Sequence, residues 1–353
     1  MACRLINRCK IVVNGGPCRY CGTTKMKTIL AINAGSSSMK IAGYDAATGK
    51  KNFKATINAV VNYAEAIKQA LRDVTGEVVG IGYRVVNGGG YDAPQLINQE
   101  VINNITLAAR YAPLHNPAAV MAINMMRALY PQAKHLAVFD TSFFANMDEV
   151  AKSYALPETL RLKYLKFGYH GLSHENVAKT VEARSVISVH LGSGCSITAI
   201  QDGQPIETTL GFGTYDGLMM GTRSGAIDPA VVLDIARAKG IDATEKLLTQ
   251  ASGLAGVSGL PNDFRVITAE REAGNAAAEL AYGMFIRSIV KAIGSMVALL
   301  DETPVLIFTG GIGENSVQVR IDVRVRVERL IDSSFVVQCD EEGIIFSAVQ
   351  VTI

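Results

Sequence analysis

Short apolar runs that end in glycine, serine or asparagine recur along this chain, and stretches with apolar residues at helical spacing lie between them. One run enters Asn33, Ala34, Gly35 and three serines at 36–38, and a second, KIAGYD, leaves that turn and ends at Asp45. Residues 61–74 then place apolar side chains at helical spacing, and residues 78–90, VVGIGYRVVNGGG, read as a buried strand closing in glycines. Within 107–129, His115-Asn116-Pro117 starts a proline-bounded helix, and 135–144 form a strand that carries Asp140 at its C-terminal end. Farther on, Asp228 caps a helix with Pro229 in its first turn and Gly240 past its end. Residues 276–300 are apolar but broken by Glu279, Arg287 and Lys291, the pattern of a long buried helix. Strands alternating with helices predict an α/β fold with ligands at the C-terminal ends of the strands, where Asp140 falls.

The first turn repeats. Residues 187–202, ISVHLGSGCSITAIQD, again read as strand, Gly/Ser turn, strand and polar exit. With Gly35 placed on Gly192, Asn33 falls opposite His190, Ser36 opposite Ser193, Ser38 opposite Cys195 and Asp45 opposite Asp202. Small residues let backbone N–H groups and hydroxyls converge on an anion, so each turn suits a phosphate, and two copies predict a duplicated fold with one phosphate loop per half. Residues 305–316, VLIFTGGIGENS, add a third strand entering a glycine turn and a helix start, an arrangement that suits a nucleotide. Each turn taken singly also reads as an ordinary strand connection.

Composition narrows the class. The chain has 353 residues, 49% hydrophobic and 19% charged, which allows two domains with substantial cores. A net charge of +2 gives no basis for nucleic-acid or membrane binding, and no tryptophan is present to stack on bases. The start of the chain has no continuous apolar core of a signal peptide, so the expected location is cytoplasmic. Cys3, Cys9, Cys18 and Cys21 precede Met26, and only Cys195 and Cys339 follow it. Cys18-x-x-Cys21 is half of a zinc pattern whose other half is poorly spaced; the competing reading is an appended, disordered leader over 1–25.

Candidate chemistry lies at ionisable residues in apolar or small-residue surroundings. Arg84 interrupts an apolar strand, and Arg223 stands among Gly221, Thr222, Ser224 and Gly225. A buried guanidinium needs an anion, so each suits either a carboxylate or phosphoryl ligand or a structural ion pair. His170 and His174 are four apart, part of a metal pattern if helical, but Gly171 and the aromatic residues before it favour a turn. A histidine donating to phosphoryl oxygens is the stronger reading for His170, and capping or structure for His174. His115 reads as a cleft or turn residue.

Taken together, LAINAGSSSMK, YRVVNGGG, APLHNPAAV, FDTSFF, FGYHGLSHENVA, VHLGSGCSI, GLMMGTRSGAIDP, NDFR and FTGGIGENS resemble, in order, the motifs of the acetate kinase family, within the acetate and sugar kinase, Hsp70 and actin superfamily. The resemblance implies a two-domain, duplicated actin-like ATPase fold with the active site in the cleft between domains. It also implies ATP-dependent, reversible phosphorylation of a short-chain carboxylate to an acyl phosphate, with acetate, propionate and butyrate as candidates. On that resemblance Asp140, His170 and Arg223 are catalytic, and Arg84, Val86, Leu114 and His115 bind the carboxylate. Lys40, His190, Leu191, Gly192, Ser193, Gly194, Asp263, Phe264, Arg265, Gly311, Ile312, Gly313, Glu314 and Asn315 bind nucleotide, with Ser36 and Ser38 in the phosphate loop. Asn33 is associated with Mg²⁺ or Mn²⁺, ATP and ADP are co-substrates, and a homodimer is implied. Because a carboxylate is already ionised at neutral pH, Asp140 is expected to position the metal or the arginines rather than to remove a proton.

Departures cluster at two places. Asn87 and Tyr169 stand where the family has histidine and phenylalanine, Thr214 where it has proline and Ser193 where it has asparagine, so chain-length preference stays open. After Arg320 no residue matches the family's late metal-binding glutamate, and Glu341 and Glu342 stand in a context that does not match. This predicts a first domain over 26–175 and a second over 176–353 with an atypical or truncated end. A catalytically impaired nucleotide-binding homologue is the alternative function.

Overall fold

The computed structural model describes residues 26–35, 38–58, 63–113 and 115–353. The first-turn serines Ser36 and Ser37, Leu114, and the four cysteines before Met26 lie outside the described residues.

Two sheets carry the fold. The first is built from β1 (Lys27–Ala34), β2 (Ser38–Asp45), β3 (Lys51–Asn58), β4 (Glu77–Val85), β5 (Gln95–Leu96) and β6 (Lys134–Phe139), in the order β3-β2-β1-β4-β6-β5. The second uses β7 (Ser185–Leu191), β8 (Cys195–Gln201), β9 (Gln204–Thr208), β10 (Val305–Thr309) and β11 (Ser334–Val336), in the order β11-β10-β7-β8-β9. In both, three strands meander antiparallel, and the first of them pairs parallel with a later strand that ends near the cleft. The duplication expected from two hairpins therefore extends through the order of both sheets. Asn33 pairs with Lys40 at the first hairpin and His190 with Ser196 at the second, so the two turns lie at equivalent ends of their sheets.

Each sheet packs its own core. Ile32, Ile41, Ile81, Tyr83, Val85 and Phe139 gather on one face of the first sheet under helices 99–107 and 116–129. In the second, Val189, Ile197, Leu306 and Phe308 meet the long helix Ala276–Val297. That helix has the length and hydropathy of a membrane span, but Ala281, Phe285, Ile289 and Ile293 form one buried face against this core, as its interrupting charges suggest.

Two local expectations change. β6 ends at Phe139, and Asp140 opens a single 3₁₀ turn over Asp140–Phe144. Residues after His170 form a helix, Gly171–Thr180, rather than only a turn, with His170 left-handed at its start (φ 55°).

The largest difference is at the end of the chain. The helix Glu341–Thr352 does not stay with the second sheet. It packs against β1 and β4, and Ile344, Ile345, Phe346 and Val349 close the face of the first sheet opposite the main core. Gly80 and Gly82 make this possible. A β-carbon on Gly80 would stand 2.8 Å from Val349 Cγ1, and one on Gly82 would collide with Ile345 Cγ2 and lie 2.7 Å from Val349 Cγ2. Alternate glycines on β4 thus open a groove in the pleat that the helix fills.

Candidate active site

Arg84 is the centre of the first half of the site. At the C-terminal end of β4, it donates to Asp140 twice, Nε to Oδ1 at 3.0 Å and Nη2 to Oδ2 at 2.7 Å. Its Nη1 donates to Asn33 Oδ1 at 3.2 Å and to Glu341 Oε2 at 3.0 Å. Asn33 Nδ2 in turn donates to Glu341 Oε2 at 2.6 Å and Glu342 Oε1 at 3.0 Å. Four of the five N–H donors of this largely enclosed guanidinium thus meet acceptors, and two carboxylates offset its charge, which is the condition for placing it inside a sheet.

One arginine is shared by two buried carboxylates. Burial pushes the Asp140 carboxyl above its ordinary range, and Arg84 opposes that rise. Burial acts in the same direction on Glu341, but Arg84, His190 and the Asn33 amide outweigh it and hold Glu341 low.

The unplaced acidic pair is therefore corrected. Glu341 and Glu342 sit against Asn33 and, for Glu341, against Arg84, because the last helix returns to the first sheet. Asp340 caps that helix through Gly343, and an apolar run follows. That capping pattern was the available sequence signal; the 308 residues between Asn33 and Glu341 hid the pairing itself.

The second half of the site faces this cluster. The His170 and His190 rings stack with centroids 4.4 Å apart, and His170 Nδ1 bonds to Ser196 Oγ at 2.9 Å. A β-carbon on Gly194 would lie 2.9 Å from His170 Nε2 and 3.1 Å from Arg223 Nη2, so the absent side chain leaves a gap onto which both nitrogens open. Arg223 forms no ion pair among the described residues; its Nη1 donates to the Thr214 carbonyl, and burial lowers its affinity for the proton. His115 is half-buried at the start of helix 116–129 with its Nδ1 enclosed and unpartnered, and it feels both arginines. Burial, then Arg84 and Arg223, lowers its pKa to about 4. Burial lowers His190 to about 4 as well and drives His170 and His174 well below the ordinary value, so this histidine group is neutral.

A cavity of about 690 Å³ opens beside Gly192 and Ser193, the loop residues before Gly194. Its walls include Gly192, Ser193, Asp263, Phe264, Arg265, Gly311, Ile312 and Asn315 of the expected nucleotide set, joined by Asn262 and Thr268, which the sequence reading missed. Gly192 and Gly311 approach across it, joining the second and third glycine turns. Asp263 and Arg265 pair with each other at its rim.

Other expected residues stand apart from these walls. Leu191 is a core side chain, Gly313 is buried, and Glu314 spends Oε1 on the backbone N–H groups of Gly310 and Cys339. Lys40 lies on β2 within electrostatic reach of His190 and Glu341. Val86 is a core residue packed with Tyr169. Ser38 begins β2, and its carbonyl accepts from the Gly35 N–H. Asn87 donates to the Tyr169 hydroxyl at 3.1 Å, and that hydroxyl donates to the Phe212 carbonyl, so the two departures are partners in one hydrogen-bond chain.

Residues 50–346 match the acetokinase family. The chain belongs to that family. It is 41% identical to the acetate kinase of Synechococcus sp. over 69% of this chain, and the match spans 63% of that relative, less than two thirds of its length. It is 37% identical to the acetate kinase of Geobacillus sp., covering 84% of this chain and 86% of the relative. The crystal structure of a propionate kinase from Francisella tularensis superposes with a TM-score of 0.84 at 31% identity, over 93% of this chain and all of that one. The acetokinase-family fold is the duplicated actin-like ATPase fold, in agreement with the two matching sheets.

No group of three or more His, Cys, Asp or Glu side chains is arranged to hold a metal among the described residues. The donors near Asn33 are carboxylate and amide oxygens, hard ligands of the kind Mg²⁺ accepts. That ion is commonly held by one or two carboxylates, with water and phosphate completing its shell. The donor set therefore fits.

Proposed function

We propose that this chain transfers the γ-phosphoryl group of ATP to a short-chain carboxylate, acetate foremost, giving an acyl phosphate and ADP, and that the reaction runs in both directions. The observation that carries this reading is the gap at Gly194, bordered by His170 Nε2 and Arg223 and one residue along the loop from the cavity wall at Ser193. Phosphoryl transfer needs alignment and neutralisation of the equatorial oxygens more than covalent help from the protein.

The carboxylate arrives ionised and needs no base. Arg84 binds it, and the two Asp140 bonds fix the guanidinium plane. Val86 and His115 form the acyl side, while Arg223 meets the transferring group with charge and His170 with a neutral donor. The cavity walled by Gly192, Ser193, Asp263, Phe264, Arg265 and Gly311 takes the nucleotide, with Lys40, His190 and Gly194 along its phosphates. Glu341, Asn33 and Glu342 would hold Mg²⁺, with Mn²⁺ as a substitute. When bound, that ion supplies charge to the ATP phosphates.

Propionate or butyrate remains the alternative substrate. The similar fold of the Francisella propionate kinase and the Asn87–Tyr169 bond beside Val86 favour testing it. A homodimer is supported by the helix Pro229–Lys239, which buries none of its residues, and by a second cavity of about 730 Å³ lined by Leu218, Met219 and Met284. Sedimentation of a monomer at micromolar concentration would remove that part of the reading. The proposed location is the cytoplasm.

Trapping acyl phosphate with hydroxylamine, with ATP and Mg²⁺ and each acid in turn, tests the function. Hydroxamate with acetate above the other acids, lost on chelation with EDTA, is expected. No hydroxamate from any of the three acids would leave a nucleotide-binding homologue without catalysis.

A further inference from the structure

Behind His170 lies a buried line of hydroxyls and imidazoles that the proposed reaction does not use. Ser188 Oγ lies 2.8 Å from His174 Nδ1, His174 Nε2 lies 2.7 Å from Ser196 Oγ, and Ser196 Oγ lies 2.9 Å from His170 Nδ1. His174, Ser188 and Ser196 are fully buried. The stacked His190 ring holds the plane of His170.

The line can be polarised in two directions. In one, His170 Nδ1–H donates to Ser196, Ser196 to His174, and His174 Nδ1–H to Ser188. The Ser188 hydroxyl proton then has no acceptor, since His174 is its only partner among the described residues. In the other, Ser188 donates to His174 Nδ1, His174 Nε2–H donates to Ser196, and Ser196 donates to His170 Nδ1. Every proton inside the line is then used; the one donor left without a protein acceptor is His170 Nε2–H, which faces the open space at Gly194, and lone pairs on Ser188 go unmet. An unpaired donor costs more at the fully buried Ser188 than on the half-buried His170 ring facing that gap, so the second direction wins.

We infer that Ser188, His174 and Ser196 are positioning residues that fix His170 in the tautomer with its proton on Nε2, pointing a neutral donor into the Gly194 gap beside Arg223. His170 Nε2 and Arg223 Nη2 are then two donors facing one point with no acceptor of their own there, the arrangement an anion requires. The consequence for rate rests on the proposed phosphoryl transfer; the tautomer does not.

The test uses the full chain labelled with ¹⁵N-histidine, with His170 assigned by its loss in His170→Gln. Wild type is expected to carry the His170 proton on Nε2 with Nδ1 bare, and Ser196→Ala to shift part of the population to Nδ1–H. In the hydroxamate assay Ser196→Ala should lower kcat about fivefold to tenfold, the worth of one neutral hydrogen bond, with both KM values within about twofold. Ser196→Thr keeps the hydroxyl and should restore both readouts. If Ser196→Ala does not fold, Ser196→Cys replaces the hydroxyl with a weak thiol donor and should move the same resonance partway. A proton on Nδ1 in wild type, or an unchanged tautomer in the Ser196 variants, would overturn the inference. If wild type makes no acyl phosphate, the functional reading fails, and the tautomer measurement alone decides the relay.

Discussion

Arg84 and Arg223 are both half-buried arginines, yet they differ in what surrounds them. Arg84 spends four of its five N–H donors on Asp140, Glu341 and Asn33 and keeps one on Nη2, whereas Arg223 has a carbonyl and an open gap. Under the proposed function, Arg84→Ala should raise the carboxylate KM at least tenfold, and Arg223→Ala should lower kcat by at least a hundredfold with little change in KM; steady-state kinetics that reversed the two would overturn these roles. The carboxylates differ too. Asp140→Ala leaves the Arg84 charge without its bidentate partner and should cost about 3–5 kcal/mol in urea unfolding. Glu341→Gln keeps an acceptor for Nη1 and should cost less than about 1.5 kcal/mol. Equal losses would mean that the arginine is shared evenly. Arg84, Asp140, His170 and Arg223 were legible as single residues because an ionisable group in apolar or small-residue sequence stands out. Ser196, Ser188, Glu341 and Glu342 were not, since serines in a strand and glutamates at a helix start are ordinary until the fold brings their partners to them.

At the scale of elements, the two hairpins were readable from alternating apolar strands and glycine turns, and the Asp228–Pro229–Gly240 helix from its cap, first turn and stop. The destination of the last helix was not, although β4 carried a sign of it. Gly-x-Gly in a strand marks a face that another backbone approaches, and here that backbone is Glu341–Thr352. Gly82→Ala should therefore destabilise the protein by about 1–3 kcal/mol through overpacking. Ile345→Ala in the same chain should recover part of that loss, although alone it destabilises. Thermal unfolding of the two single variants and the double variant measures the coupling, and strict additivity would show that Gly82 and Ile345 do not meet as described.

For the whole molecule, the histidines set the acid limit. All five histidines of the chain have pKa values lowered by burial first, to about 4 at His115 and His190. The unfolded chain binds these protons near pH 6.5, before the folded one does, so stability is complete above that value and falls as pH drops from 6.5 towards 4. His115 and His190 should each contribute a loss of about 1.4 kcal/mol per pH unit in that window. Urea midpoints between pH 8 and pH 4 should be flat to about pH 7 and then decline; midpoints that stay flat down to pH 5 would contradict the neutral-histidine description.

The return of the last helix to the first sheet also fixes an order of events in time. A growing chain has Asn33, Arg84 and Asp140 long before residue 341 exists, and it holds the Gly80–Gly82 groove open throughout. Arg84 cannot reach its second carboxylate, nor can the apolar face beneath β4 be covered, until that helix has been synthesised and has docked. For nearly the whole of its synthesis, the nascent protein must keep Arg84 without its second carboxylate and a hydrophobic face bare, the kind of exposed apolar surface that invites aggregation.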